Sequence, residues 1–272
     1  MLYAILAATS GSFATLLAKY ELKSLEYHQY LTFSFLVGFV IMAFLSPWYF
    51  FVPKATLWAY GIFCLYIVNA ITWNLLYYHG FSKENLAESQ SLTLLAPLLT
   101  VVLATIFYPD ERNYAHVGLA IIALSALLFA HKSHHAIRLH KGSKLIFVGV
   151  VFMAFESLLV KQLLISFTPF TLYFLRVGIM GLFLWSYFRP QLTMTTINLR
   201  WGLVCELFVV AQFMFLYTSY TQVGIVVTSL VMSIVPMTVY FFATYQLKEH
   251  ISTRHVYATC IILICVLLIN VV

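Results

Sequence analysis

Hydrophobic residues occur along this chain in long runs that short polar segments separate. A bilayer core of about 30 Å is crossed by a helix of roughly 20 apolar residues. Charged residues, prolines and polar clusters divide the sequence into ten runs of about that length. They lie near residues 2–19, 28–46, 57–80, 84–108, 114–130, 144–165, 170–188, 200–220, 223–246 and 254–271. The pattern predicts an all-α polytopic membrane protein with ten transmembrane helices and no appended soluble domain.

Composition excludes most other classes of protein. Of the 272 residues, 62% are hydrophobic and 9% are charged, whereas soluble domains carry about 25% charged residues. A folded chain of this size exposes a large surface, and so few charges cannot make that surface face water. Soluble enzymes and nucleic-acid-binding proteins are therefore excluded. The expected partners are the lipid bilayer and a small-molecule substrate, and no nucleic acid.

No motif points to a metal, a cofactor or an enzymatic reaction. The four cysteines (Cys64, Cys205, Cys260 and Cys265) lie within apolar runs and form no CxxC motif. Metal-binding cysteines normally occur at such short spacings, so we expect these to be buried apolar residues. The sequence also contains no HExxH, GxSxG or serine–lysine nucleophile motif, and we expect no enzymatic activity.

The longest polar segment, residues 131–143, divides the sequence into two halves, 1–130 and 144–272, with five runs each. Residues 78–112 align on residues 217–251 without a gap. This alignment pairs Tyr78, Ser82, Ser89, Pro97 and Asp110 with Tyr217, Thr221, Thr228, Pro236 and Glu249. An odd number of spans per half makes the second half begin on the opposite membrane face. The sequence therefore predicts two inverted five-helix repeats, an architecture that secondary transporters use to alternate access.

A second, separate match supports the repeat. The segment ATLLAK at residues 14–19 aligns with ESLLVK at residues 156–161. Continuing this alignment without a gap pairs Ser34 with Arg176, so that any role of this arginine belongs to one half only. Two matches in the same order along the chain make coincidence a poor explanation.

These features resemble the drug/metabolite transporter superfamily, and within it the EamA-like ten-helix exporters. The resemblance covers essentially the whole chain. It rests on the mid-helix prolines Pro97 and Pro236, on the acidic residue beyond each, and on SLLVK at residues 157–161. It also rests on Lys161 and Arg176 around the Thr168–Pro169 turn. The resemblance implies a central cavity lined by helices one, three, four, six, eight and nine, and export of small metabolites without ATP.

Two carboxylates are candidates for binding a cation or a proton. We name the membrane face that carries the loop between the first two spans face A, and the opposite face, face B. At about 1.5 Å of rise per residue, Glu88 and Glu206 both lie roughly 6–9 Å below face A. Two carboxylates at one depth would suit a cation vestibule or a proton site. The alternative is that each caps an interface or pairs with Lys83 or Arg200.

A second charged group is expected near the middle of the membrane. Glu156 lies about 18 Å below face A, and Arg176 enters about 9 Å from face B. In a core of about 30 Å their depths differ by only about 3 Å. A buried Glu156–Arg176 ion pair is the first interpretation, with Lys161 as a second possible partner of Glu156. The alternative is a substrate- or proton-binding Glu156 that Arg176 gates.

Aromatic and polar residues recur together at helical spacing on three runs, where they indicate a binding wall. Such rings hold a cation by cation–π attraction or stack on an apolar substrate, and the two prolines are either hinges or static bends. The residues are Asn69, Trp73 and Tyr77 on the third run, Phe213 and Tyr217 with Glu206 on the eighth, and Ser233, Pro236 and Tyr240 on the ninth.

Together these features predict a secondary active exporter of a small organic metabolite, such as an amino acid, a cationic amine or a drug. It would alternate access around a central cavity with coupling to protons, in a prokaryotic inner membrane. The alternative is a non-transporting or lipid-handling membrane protein. Most of the 15 lysines and arginines flank face A, which by the positive-inside rule is cytoplasmic. This places both termini outside, whereas the resemblance implies cytoplasmic termini.

Overall fold

The computed structural model describes residues 1–51, 55–131, 140–191 and 196–235, together with isolated positions from 238 to 268. All regular structure within these residues is helical. The helices are α1 (Leu2–Glu21), α2 (Tyr27–Tyr49), α3 (Leu57–Lys83), α4 (Leu86–Thr93), α5 (Leu95–Phe107), α6 (Tyr114–His131), α7 (Lys141–Leu163), α8 (Pro169–Phe188), α9 (Thr196–Val223) and α10 (Ile225–Met232). A short 3₁₀ turn, Pro109–Glu111, follows α5.

Among the described residues, six helices are long and apolar enough to cross a membrane, namely α1, α2, α3, α7, α8 and residues Leu199–Val223 of α9. The chain is therefore a polytopic membrane protein. The tenth predicted run, residues 254–271, lies outside the described part of the chain except for isolated positions. A total of ten spans stays a prediction.

The fourth predicted run is two helices, because α4 ends at Thr93 and α5 begins at Leu95. Proline has no backbone N–H, so Pro97 cannot donate to the carbonyl of Thr93 four residues earlier, and the ladder is interrupted there. The ninth run begins in the same way. Its first helix is α10. The ungapped alignment pairs the first residue of α4 with the first residue of α10, and the last residue of α4 with the last residue of α10. Pro236, the counterpart of Pro97, lies outside the described residues.

The helices pack in pairs that join the two halves of the sequence. The most extensive contacts are between α3 and α7, α1 and α9, and α2 and α8. Exchanging α1, α2 and α3 with their aligned counterparts α7, α8 and α9 leaves this set of pairs unchanged. The first helix of each half therefore packs against the third helix of the other half, so that the halves are interlocked.

Glycines bring α3 and α7 close together. A Cβ on Gly80 would lie 2.5 Å from the carbonyl oxygen of Gly142, and a Cβ on Gly149 would lie 3.1 Å from the backbone nitrogen of Tyr77. Backbone atoms cannot move aside as a flexible side chain can. Small residues allow such close approach between membrane helices, where packing rather than the hydrophobic effect drives association.

We expect Gly80→Ala to lower the stability of the purified protein by about 1–3 kcal/mol, because the added methyl overpacks the α3–α7 contact. The measurement is the thermal or denaturant midpoint in detergent. Gly61→Ala is the matched control on the same helix, because a Cβ there meets nothing within 4 Å. Equal destabilisation by both substitutions would contradict this account of the contact.

Candidate functional site

A cavity lies between the interlocked helices. Counted together with the open space at its mouth, the cavity comprises about 1400 Å³ free of protein atoms. Its lining includes residues of α1, α3, α4, α5, α7, α9 and α10. The resemblance predicts these helices. The lining also includes Leu31, Ser34 and Phe35 of α2 and Tyr173 and Arg176 of α8, because the α2–α8 pair closes one side of the space.

An ion pair lies in the cavity wall. A guanidinium nitrogen of Arg176 lies 2.9 Å from Oε1 of Glu156, and both side chains are buried. The indole N–H of Trp73 donates to the other carboxylate oxygen of Glu156. The pairing inferred from the depths of the two residues is present. The alternative prediction, that Lys161 pairs with Glu156, is wrong, because Lys161 pairs with other carboxylates near face B.

Aromatic side chains surround the Arg176 guanidinium. It donates to the hydroxyl of Tyr217 at 3.0 Å, and that oxygen lies 2.7 Å from the hydroxyl of Tyr66. The guanidinium carbon lies 4.5 Å from the centre of the Phe213 ring, which stacks on Tyr173. Hydrogen bonds and cation–π contacts offset the cost of removing a guanidinium from water. The protein itself therefore holds the Arg176 guanidinium in the cavity wall.

Two of these aromatic residues, Tyr66 and Tyr173, are not among the site residues predicted from the sequence. Tyr66 lies three residues before Asn69 on α3, so extending the α3 stripe backwards by one turn finds it. Tyr173 lies three residues before Arg176 on α8 and therefore on the same face. The family resemblance does not place α8 in the cavity lining, so the sequence provides no reason to select its aromatic residues.

Glu206 is the second buried carboxylate of the cavity. It is 2% exposed, and the hydroxyl of Ser34 donates to it at 2.5 Å. Within the part of the chain that the structure describes, no lysine or arginine lies within 4 Å of it. Pairing with Lys83 or Arg200 is therefore wrong for this residue, as is a role as an exposed interfacial cap. A Cβ on Gly38 would lie 2.5 Å from Glu206 Oε1, so a larger residue there would require the carboxylate to shift from this position.

The remaining candidates divide into three groups. Tyr77 and Pro97 line the cavity. Two others bind backbone carbonyls instead. The amide of Asn69 donates to the carbonyl of Phe152 on α7 at 2.9 Å, and the hydroxyl of Ser233 donates to the carbonyl of Leu230 in its own helix at 2.6 Å. The side chain of Glu88, and Pro236 and Tyr240 altogether, lie outside the described residues.

A charged cluster near face B joins three elements. Lys161 of α7 lies 3.0 Å from Asp110 and also pairs with Glu111. Its hydrogen bond lowers the pKa of the Asp110 carboxyl. Glu111 also accepts hydrogen bonds from the backbone nitrogens of Ile225 at 3.0 Å and Val226 at 2.8 Å. A carboxylate at the start of a helix interacts favourably with its dipole, so Glu111 attaches α10 to the turn after α5.

Comparisons with known proteins agree with this architecture. The sequence profile of the EamA-like transporter family matches residues 1–131 and 140–271. No functionally curated protein matches the sequence. A crystal structure described only as that of a protein superposes on this chain with a TM-score of 0.72. The superposition covers 97% of this chain and 96% of the other at 14% sequence identity. At that identity the likeness shows a shared fold.

We expect Arg176→Met to destabilise the protein by about 3–5 kcal/mol, because it leaves the buried Glu156 carboxylate without its counter-charge. The double variant Arg176→Met/Glu156→Leu removes both charges and should recover most of that loss. Denaturation of the purified single and double variants measures the coupling. Additive losses in the double variant would show that the pair does not act as a unit.

Proposed function

This chain belongs to the EamA-like transporter family of the drug/metabolite transporter superfamily, and we propose that it is a secondary active exporter of a small, amine-bearing organic metabolite. Amino acids, cationic amines and cationic drugs share that amine. The substrate occupies the central cavity, and the membrane is a prokaryotic inner membrane. The family makes the chain a membrane transporter of small molecules, and the chemistry of the cavity supports the narrower proposal.

The observation that carries the proposal is the Glu206 carboxylate. An ionised group buried at membrane depth is costly unless an opposite charge compensates it. Arg176 compensates Glu156, whereas the described partner of Glu206 is the neutral hydroxyl of Ser34. A cationic amine supplies the missing charge. Tyr78 and Tyr173 lie within electrostatic range of Glu206 and also line the cavity, where their rings favour a cation.

A proton compensates the same carboxylate when the amine leaves. The proton and the amine then compete for Glu206, because each neutralises the carboxylate. Once the carboxyl is protonated, it carries no negative charge to attract the amine. Such competition at one site is sufficient to couple the export of an amine to the entry of a proton. The Glu156–Arg176 pair retains its own charge balance and does not take part in this exchange.

Alternating access requires that the two membrane faces open in turn. In our proposal two units rock against each other: α1, α9 and α10 form one, and α3, α4, α5 and α7 form the other. Contacts between these units occur near both faces. Near face A, Lys19 of α1 donates to the carbonyls of Phe81 and Glu84, each at 2.6 Å. Near face B, Glu111 binds the start of α10. Each contact breaks when its face opens.

The competing function is a lipid-handling or non-transporting membrane protein. The fold is compatible with that function, because many large apolar side chains face outward. A lipid-handling protein has no evident need for a carboxylate buried deep in a cavity. We therefore favour transport of a soluble amine.

We expect Glu206→Gln to abolish proton-driven amine transport. The assay is uptake of labelled phenethylamine, cadaverine, L-leucine and ethidium into proteoliposomes with and without a pH gradient, corrected for protein-free liposomes. A neutral amide exchanges no proton, so uptake should lose its response to the gradient and fall at least tenfold. Glu21→Gln is the matched control, because Glu21 is a buried carboxyl that does not line the cavity.

Gradient-driven uptake that survives in Glu206→Gln would exclude this residue as the coupling site. Failure of the wild-type protein to move any of the four solutes, together with stabilisation by lipids alone, would favour the lipid-handling alternative.

We expect Glu111→Ala to open face B more often, because α10 loses two charge-assisted hydrogen bonds. The measurement is the rate at which a membrane-impermeant thiol reagent modifies Ser157→Cys in a chain lacking the four native cysteines. Losing contacts worth about 1–3 kcal/mol should raise that rate at least fivefold. The neighbouring Asp110→Ala is the control, because among the described residues Asp110 bonds to Lys161 and not to α10. An equal rise in both variants would contradict a gating role for the Glu111–α10 contact.

A further inference from the structure

The ion pair in the cavity wall has an uncharged counterpart in the first half of the chain. The alignment of the halves pairs Arg176 with Ser34 and Glu156 with Ala14, and all four residues line the cavity. We name the region around Ala14 and Ser34 the counterpart site. Where the second half presents a guanidinium and a carboxylate, the counterpart site presents a hydroxyl and a methyl group.

Tyr78 adds a hydrogen-bond acceptor to the counterpart site. It is aligned with Tyr217, whose hydroxyl accepts a hydrogen bond from Arg176 at 3.0 Å. Tyr78 lines the cavity, and its side chain is partly exposed. Tyr30 interacts with the Tyr78 hydroxyl, but a hydroxyl oxygen has two lone pairs and can accept a second hydrogen bond. The acceptor that binds the guanidinium in the second half is therefore repeated in the first half, where Ser34 replaces the arginine.

The carboxylate of the counterpart site comes from α9. Glu206 accepts a hydrogen bond from the Ser34 hydroxyl at 2.5 Å, and the preceding residue, Cys205, donates to the carbonyl of Ala14 at 3.5 Å. The Tyr78 hydroxyl lies within electrostatic range of the same carboxylate. Both sites thus have a carboxylate and an aligned tyrosine. Among the described residues, only the ion-pair site also has a cation of its own.

We propose that the counterpart site is the subsite for the cationic group of the solute, and that this group takes the place that a guanidinium has in the second half. The inference rests on the proposed function, since it assumes that an amine-bearing solute occupies the cavity. Glu206 supplies the opposite charge, and the Tyr78 hydroxyl accepts one N–H of the cation.

The subsite therefore selects the class of cation. Primary amines and guanidines carry N–H groups for Tyr78, whereas a quaternary ammonium group has none. A site built to hydrogen-bond an N–H group rejects an analogue that lacks it, because the polar group of the site is then left unpaired.

The first test removes the acceptor. The solutes are 2-phenylethylamine, cadaverine and L-leucine, each compared with the analogue whose amino groups are trimethylated, and affinity is measured by ligand-dependent stabilisation of the full-length protein in detergent. The wild-type protein should bind the N–H-bearing member of at least one pair more tightly. Tyr78→Phe should weaken that member about fivefold to tenfold and change its trimethylated analogue less than twofold.

Tyr220→Phe is the matched control for Tyr78→Phe. Tyr220 also lines the cavity, but its hydroxyl donates to Ser157 at 3.2 Å, and the alignment pairs it with Phe81. It should change neither member of a pair. The melting temperature without ligand verifies that each variant folds.

The second test supplies the cation from the protein. Ser34→Arg places a guanidinium beside Glu206 and should weaken the N–H-bearing solute at least tenfold. Ser34→Met, of similar length but uncharged, controls for lost space and should weaken it less. Adding Glu206→Gln should lower the melting temperature of Ser34→Arg, because the buried arginine then loses its counter-charge, and should not lower that of Ser34→Met. This last comparison needs no ligand.

Equal weakening of both members of a pair by Tyr78→Phe, or no weakening, would overturn this assignment, as would a wild-type preference for the trimethylated members. Ser34→Arg and Ser34→Met that respond alike to Glu206→Gln would also overturn it. The proposed function survives these results if Glu206→Gln alone still abolishes amine binding. If the wild-type protein binds no member of any pair, the proposed function itself is wrong and this inference falls with it.

Discussion

The cost of burying charge inside a membrane governs this structure. Arg176 is fully buried, and the wall around it is arranged to compensate one guanidinium: the Glu156 carboxylate, the Tyr217 hydroxyl and the Phe213 ring all contact it. These groups come from α7 and α9 and Arg176 comes from α8, so compensation of one charge joins three helices. Glu206 shows the opposite case, since its described partner is a hydroxyl. One carboxylate is paired within the protein, and in our proposal the other is available to a ligand.

The backbone repeats between the halves, but the chemistry does not. The alignment pairs Ser34 with Arg176 and Ala14 with Glu156, so positions that are charged in the second half are neutral in the first. All four positions line the cavity. A pseudo-symmetric scaffold therefore carries an asymmetric cavity, which is the proposed binding site. This combination suits alternating access, because similar halves can exchange conformations while one wall keeps hold of the solute.

Much of the fold follows from the sequence because membrane helices are fixed by local constraints. Apolar length and the positions of prolines and charges are sufficient to locate the spans, and the break before Pro97 follows from its missing N–H. The Glu156–Arg176 pair could be anticipated from depth alone, since a buried charge needs a partner at its own level. The partner of Glu206 could not. Depth did not distinguish Ser34 from Lys83 or Arg200, because the choice depends on which helix faces which.

The sequence by itself determined the class of protein and the residues whose burial would be costly, and it predicts the five-helix repeat. These properties depend on hydrophobicity and on distance along one helix. Only the tertiary structure decided that α2 and α8 line the cavity, that Asn69 serves a helix contact, and that Ser34 is the described partner of Glu206. Those outcomes depend on the rotation of each helix about its axis and on which helices are neighbours. Packing between the two halves sets both the rotation and the neighbours of each helix. The pattern of apolar positions along the chain carries little information about that packing.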